Sequence, residues 1–146
     1  MSCDTAFVRI KRPAIDVFEF MADPEKLSIW SFGTWSIATD ETELVTGLSI
    51  KDGSKIFLRI KAHEELFLID YFLGKTPEEL SPRIFARIIP GSFIDHKGSE
   101  TALLLTALRS GDMDADRWND LTAAHAFEVR LIKSAIESGY DHRTKI

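Results

Sequence analysis

DADRWNDLTAAHAFEVRLIKSAIES, residues 114–138, is the stretch whose reading decides the fold. Advancing about 100° per residue, Trp118, Leu121, His125, Val129, Ile132 and Ile136 fall on one face, with Ala124, Leu131 and Ala135 beside them. Asp114 is suited to cap a helix, Asp116 lies in the first turn where the helix dipole favours an acid, and Met113 is spaced to staple onto Trp118. Gly139 is a natural stop. The pattern predicts one long helix from Asp114 to Ser138. His125 sits near the centre of its apolar stripe. If a curved sheet wraps this helix and leaves a gap, the imidazole is among the few polar groups that look into it.

Working outward, the chain before this helix reads mostly as strand. Ala6 to Arg12 alternates apolar and polar residues and makes a first strand. Pro13 ends it and is pre-set for the first turn of a helix running to about Ala22, whose apolar side is Val17, Phe18, Met21 and Ala22. Asp23, Pro24 and Glu25 signal a second, short helix to about Trp30. After Gly33 almost everything from Thr34 to about Leu108 is strand-like.

A turn at Lys51, Asp52 and Gly53 sets the expected facing. A three-residue loop with Gly53 in the left-handed position pairs Leu48 with Ile56 and Leu44 with Ile60, which gathers Leu44, Leu48, Ile56, Leu58 and Ile60 on one inner face. A two-residue Asp-Gly turn would split these sets onto opposite faces. A two-residue turn at Glu64 and Glu65 then presents Phe67, Ile69, Tyr71 and Leu73 inward and turns His63 and Asp70 outward. In the last two strands the even positions are expected inward: Ile84, Ala86 and Ile88, then Ala102, Leu104, Thr106 and Leu108. That choice turns Arg83 and Arg87 to solvent.

Composition bounds the function classes. At 146 residues the chain fits a single domain, residues 1–146, long enough to build a core without metal or disulfide. With 23 acidic against 18 basic residues and a formal charge of -5, neither a nucleic-acid surface nor an anionic-membrane patch is supported. Cys3 is the only cysteine, which suits a reducing compartment. The start of the chain contains Asp4 and lacks the basic leader and apolar run of a signal peptide, so a cytoplasmic protein is expected. No apolar stretch approaches the roughly 20 residues of a membrane span. There are no repeats, low-complexity tracts or linkers.

The order is strand, two short helices, about six antiparallel strands and a long C-terminal helix, an α+β architecture. It resembles the helix-grip fold of the START/Bet v1-like (SRPBCC) superfamily, and within it the polyketide cyclase/dehydrase and lipid-transport-like group. The likeness rests on residues as well as order: FVRIKRPAIDVFEFMADPEKLSIW, beginning at Phe7, is similar to that group's opening of strand, Pro-started helix bearing Val-Phe, and Asp-Pro-Glu step toward a tryptophan. Ile69 to Leu73 with Arg83 to Pro90, and Gly111 to Lys133, are similar to later segments. The resemblance implies a curved sheet of about seven strands gripping the long helix, with an apolar ligand between them. It implies no single catalytic motif.

Few residues carry chemistry. His125, kept neutral by burial, suits general acid–base work or a core hydrogen bond. Tyr71 would place a hydroxyl donor in the cavity, and Thr106 would do so more weakly; packing is the bland alternative for both. Trp30, Trp35 and Trp118 would line the cavity or its mouth. The expected inner wall is Leu48, Leu58, Ile60, Ile69 and Tyr71 facing Trp118, Leu121, His125 and Val129. Asp70 and Arg87 are one register slip from forming an inward charged pair. Phe127 lies on the helix side opposite His125, against a loop or on a homodimer surface. His63, His96, His125 and His142 lack metal-ligand spacing, and the acids at 112, 114 and 116 suit the helix dipole. The absence of a phosphate loop, Walker motif or nucleophile elbow calls for no cofactor. Three functions follow: a binder or carrier of an apolar small molecule (lipid, polyketide or aromatic metabolite), a polyketide cyclase or dehydratase in which His125 and Tyr71 steer proton transfers, and a protein-interaction module without ligand.

Overall fold

The computed structural model describes residues 2–95 and 97–144. Strand β1 (Cys3–Ile10) leads into helix α1 (Ala14–Ala22), a 3-10 turn at Pro24–Lys26, and helix α2 (Leu27–Trp30). Pro13, at φ -60°, stands at the N-cap of α1, and the Asp23 carboxylate accepts the Glu25 N–H at the start of the turn. Six further strands follow: β2 (Ala38–Thr39), β3 (Val45–Leu48), β4 (Lys55–His63), β5 (Leu68–Gly74), β6 (Ser81–Pro90) and β7 (Thr101–Leu108). Helix α3 (Ala115–Ser138) closes the chain; Asp114 caps it by accepting the Arg117 N–H at 2.8 Å, and Gly139 ends it at φ 71°.

Among the described residues the strands form one antiparallel sheet in the order β1-β7-β6-β5-β4-β3-β2. Helix α3 lies against β1 and β7, and α2 packs on its flank. The architecture is the expected helix grip. Its core is Ile10 of β1, Val17, Phe18 and Met21 of α1, Leu58, Ile69, Tyr71, Ala86, Ile88, Leu103 and Leu105 of the sheet, and Val129 and Ile132 of α3. A smaller cluster of Ala107, Met113 and Trp118, with Leu121 beside it, seals the start of α3 as the Met113–Trp118 spacing predicts. No described helix is long and apolar enough to cross a membrane.

Facing differs from expectation in two strands. Leu48 pairs with Lys55, Gly47 with Ile56 and Val45 with Leu58, so Val45 is buried while Leu48 is 37% exposed and Ile50 49% exposed. Leu48 does not belong to the inner wall. The cause is local: a Cβ on Gly47 would lie 3.1 Å from Thr34, so this glycine, inside, admits the segment that crosses it. The loop is also longer than three residues, with Asp52 accepting from the Ser54 N–H and hydroxyl and Gly53 left-handed at φ 72° as expected.

Thr106 is the second correction. Ala86 pairs with Leu105 and Ile88 with Leu103, so with the even positions of β6 inward the odd positions of β7 must follow. Thr106 therefore faces away from α3, and its hydroxyl shares a 2.8 Å hydrogen bond with Thr5. The turn after β4 runs through a 3-10 segment, Glu64–Leu66, with Phe67 left-handed at φ 48°, and pairs Ile60 with Tyr71. That is two residues from the expected register, so the facing of Ile69 and Tyr71 survives. Phe67 leaves the strand but packs its ring edge on Phe18 at 5.7 Å. His63 and Asp70 approach within 3.6 Å on the outer face, and Arg87 is exposed.

Candidate functional site

Helix α3 presents two polar side chains to the interior on successive turns. His125 is 2% exposed and Glu128 5%. The Oε1 of Glu128 lies 3.9 Å from the Nε2 of His125, too far for a hydrogen bond. Among the described residues, neither imidazole nitrogen has a partner in regular hydrogen-bond geometry. Burial lowers the His125 pKa against the opposing pulls of Asp4 and the Leu105 backbone, which keeps the ring neutral near pH 7.

Glu128 is held from the other side. Its Oε2 accepts the Phe32 N–H at 3.1 Å, and Ser31 contributes a side-chain hydrogen bond. Burial nonetheless pushes the carboxyl up to about 7. The carboxylate thus ties α3 to the segment after α2. Close by, the Tyr71 hydroxyl donates to the Met21 carbonyl at 2.6 Å, and burial followed by the nearby Glu128 charge drives its pKa upward. This phenol is fully engaged and stays protonated. Trp30 sets its ring edge-on to Tyr71 at 6.0 Å. Among the described residues, the Trp30 indole N–H and the Thr34 hydroxyl are buried without hydrogen-bond partners.

Behind Trp30 the segment 28–35 and the flank of α3 leave an open cleft of about 280 Å3. Its walls are Ser28, Ile29, Trp30, Ser31, Phe32 and Trp35 on one side and Phe127, Leu131, Ser134 and Ala135 on the other, with Tyr140 and His142 closing one end. Aromatic pairs frame it: Phe32 stacks on Phe127 at 6.2 Å, and Trp35 on His142 at 5.4 Å. The ring of His142 is fixed because Nε2–H donates to the Ser28 carbonyl at 3.1 Å. Arg143 beyond it is bound by Asp141, by the Glu25 carbonyl and by the Ser28 hydroxyl.

The expected site residues are therefore dispersed. Leu58, Ile69, Tyr71, His125 and Val129 are buried, with Ile60 partly so, between sheet and helix. Trp118 and Leu121 belong to the separate cluster at the start of α3. Trp35, 50% exposed, is at the lip of the flank cleft, as is Phe127, and Trp30 belongs to both the interior and the cleft. Sequence reading missed Glu128, whose only signal was its place three residues after His125, and it missed the serines; His142 was weighed there only as a metal ligand, and its neighbours in the 140–143 tail were not singled out. Among the described residues no group of three His, Cys, Asp or Glu is arranged to hold a metal ion; His96 lies outside the described residues.

No family model and no curated protein matches the sequence, but solved structures share the fold. An uncharacterised protein from Bacillus thuringiensis superposes with a TM-score of 0.70 at 12% identity, covering 92% of this chain and 98% of its own. The Aha1 dimer from Colwellia psychrerythraea is similar at 0.68 and 13% identity, over 95% of this chain and 98% of that one. A START superfamily protein from Mycobacterium smegmatis gives 0.64 at 11% identity, over 96% and 100%. The chain has the START-like helix-grip fold.

Proposed function

We propose that the protein binds a small, largely apolar molecule, held in the flank cleft between residues 28–35 and α3. The observation that carries this reading is the cleft itself, about 280 Å3 with aromatic and aliphatic walls and no Lys, Arg, Asp or Glu among its lining residues. Small-molecule sites are concave, mainly apolar and roughly 300 Å3 or larger, so this space suits one or two fused rings. Burying about 200 Å2 of such a ligand is worth roughly 5 kcal/mol before the costs of association. A START-like fold agrees with ligand binding in general, although the resemblance alone implies a site beneath the sheet. There Val129 and Ile132 of α3 are already buried in the core.

The test is titration with N-phenyl-1-naphthylamine, a neutral dye that brightens in apolar surroundings. Saturable binding is expected, weakened at least about tenfold by Ser134→Trp, which fills the cleft from the α3 side, a change worth ~1.4 kcal/mol. Ile60→Phe, beneath the sheet, is expected to leave the affinity unchanged. The reverse pattern, or no saturable binding, overturns the reading.

A second reading, an enzyme of cyclase or dehydratase type, is favoured by one feature, the buried His125 and Glu128 pair. Tyr71 fits it poorly as a proton donor because its hydroxyl is committed to Met21. If the pair performs chemistry, His125→Ala retains ligand affinity and loses turnover.

A further inference from the structure

Resting on the cleft reading, we propose that Glu128 is a proton-operated latch on the cleft: with its carboxyl protonated it fastens residues 31–35, one wall of the cleft, to α3, and losing the proton releases that wall. Residues 31–37 hold only turns and bends between α2 and β2, and Ser31, Phe32 and Trp35 among them line the cleft. Toward β3 and the loop after it, the Trp35 N–H donates to the Leu48 carbonyl at 2.9 Å and the Ile50 N–H to the Phe32 carbonyl at 3.0 Å. Toward α3, among the described residues, the segment's hydrogen bonds all end on Glu128, whose carboxyl accepts from the Phe32 N–H and the Ser31 hydroxyl. The Phe32–Phe127 stack adds apolar contact beside them.

Charge decides which way the latch works. Among the described residues the one ion-pair contact of Glu128 is with His125 of its own helix, 3.9 Å away, and burial keeps that ring neutral near pH 7 against the pull of Asp4 in β1. From β5 comes Tyr71, a protonated phenol whose hydroxyl is spent on the Met21 carbonyl. From residues 31–35 come only the uncharged Ser31 and Phe32 donors. A carboxylate 5% exposed among these groups loses more to desolvation than its two hydrogen bonds return, and the carboxyl is pushed up to about 7. Once the wall is released, water reaches the group and the ordinary 4.5 returns. The closed wall therefore holds the proton more tightly than the open one, so opening grows as pH rises from 4.5 through 7 and levels off above. The Thr34 hydroxyl, inside the segment, is buried without a hydrogen-bond partner among the described residues. Water satisfies it when the wall opens, which holds the closed arrangement near the point of release.

Hydrogen–deuterium exchange of the full chain at pH 5.5 and pH 8.5 tests the latch, read by mass spectrometry on peptides covering residues 28–37 and strand β7, with each rate divided by the intrinsic rate at that pH. Protection of residues 28–37 is expected to fall about thirtyfold between the two conditions, the ratio set by a carboxyl that titrates at about 7 when closed and 4.5 when released. Strand β7 is expected to stay at least about tenfold better protected. In Glu128→Gln the fall disappears, whereas His142→Gln, which removes the titratable ring stacked on Trp35, keeps it. Saturating N-phenyl-1-naphthylamine slows exchange of residues 28–37 at pH 8.5, because the dye needs the closed wall. A wild type that binds the dye yet shows no pH response refutes the latch alone. So does a fall that survives Glu128→Gln, vanishes in His142→Gln, or takes β7 down to the same level. Dye that binds without slowing exchange overturns the regulation of the site, and dye that binds at neither pH defeats the cleft reading and the regulation with it. If Glu128→Gln does not fold, the wild-type and His142→Gln measurements still decide the matter.

Discussion

Glu128 works against the stability of the helix that carries it. Its carboxyl moves from an ordinary 4.5 up to about 7 on folding, so the folded chain holds this proton more tightly than the unfolded one. The cost is absent below pH 4.5, accumulates as pH rises toward 7, and is complete above it. His125 acts in the opposite sense: its pKa is lowered by burial, so its contribution is lost as pH falls below the ordinary histidine range. In Glu128→Gln the first effect disappears and the second remains, while the amide oxygen still accepts the Phe32 N–H. Urea unfolding at pH 5 and pH 8 should show the variant gaining about 2–3 kcal/mol on the wild type between the two conditions. Parallel changes in both proteins would mean that Glu128 titrates normally. The two groups also differ in how readily they are read from sequence. A histidine within an apolar stripe announces burial, whereas a glutamate at its edge looks like any solvated helix residue. What buries Glu128 is the return of residues 31 and 32 across α3, a tertiary event without local trace.

At the scale of elements, capping and parity explain which expectations held. Helix α3 has both bounds written locally, the Asp114 carboxylate accepting the Arg117 N–H of the first turn and Gly139 supplying a positive φ. Asp114→Ala should cost about 1 kcal/mol, read as a lower urea midpoint with an unchanged slope. An unchanged midpoint would show that the Arg117 N–H finds water at no loss. The strands obey a stricter arithmetic, since a side chain's face depends on whether a register is odd or even. The turn before β5 is longer than the Glu64–Glu65 reading by two residues, and Tyr71 stays inside. The loop before β4 shifts pairing by one, and Leu48 goes outside. Strand β7 offered no contrast between its two apolar faces, so only its pairing with β6 decides that Leu103 and Leu105, rather than Leu104 and Thr106, meet the helix.

At the scale of the whole molecule, β1 anchors α3 to the sheet while the segment after Gly139 closes the cleft. Strand β1 pairs with β7 along its full length, Cys3 opposite Leu108 and Ile10 opposite Thr101, and α3 lies along β1, where Lys133 donates to the Arg9 carbonyl at 2.7 Å. Beyond Gly139 the chain turns back to the α2 region. His142 stacks on Trp35 and donates to Ser28, and Arg143 donates to the Glu25 carbonyl and the Ser28 hydroxyl, both at 2.8 Å. These contacts make the tail one wall of the cleft and a clamp on the short helix that forms another. Ending the chain after Gly139 should therefore separate two properties. The sheet and α3 lose no core residue, so the melting temperature should fall by only a few degrees, the equivalent of about 1–2 kcal/mol in a chain of this size. Binding of N-phenyl-1-naphthylamine should fall at least about tenfold, or ~1.4 kcal/mol, because Trp35 loses its stacking partner and α2 its clamp. Differential scanning calorimetry and dye titration on the shortened chain measure both. Retained dye affinity would mean that the tail is not part of the binding wall, and a collapse of the melting transition would mean that the tail belongs to the fold rather than to the site.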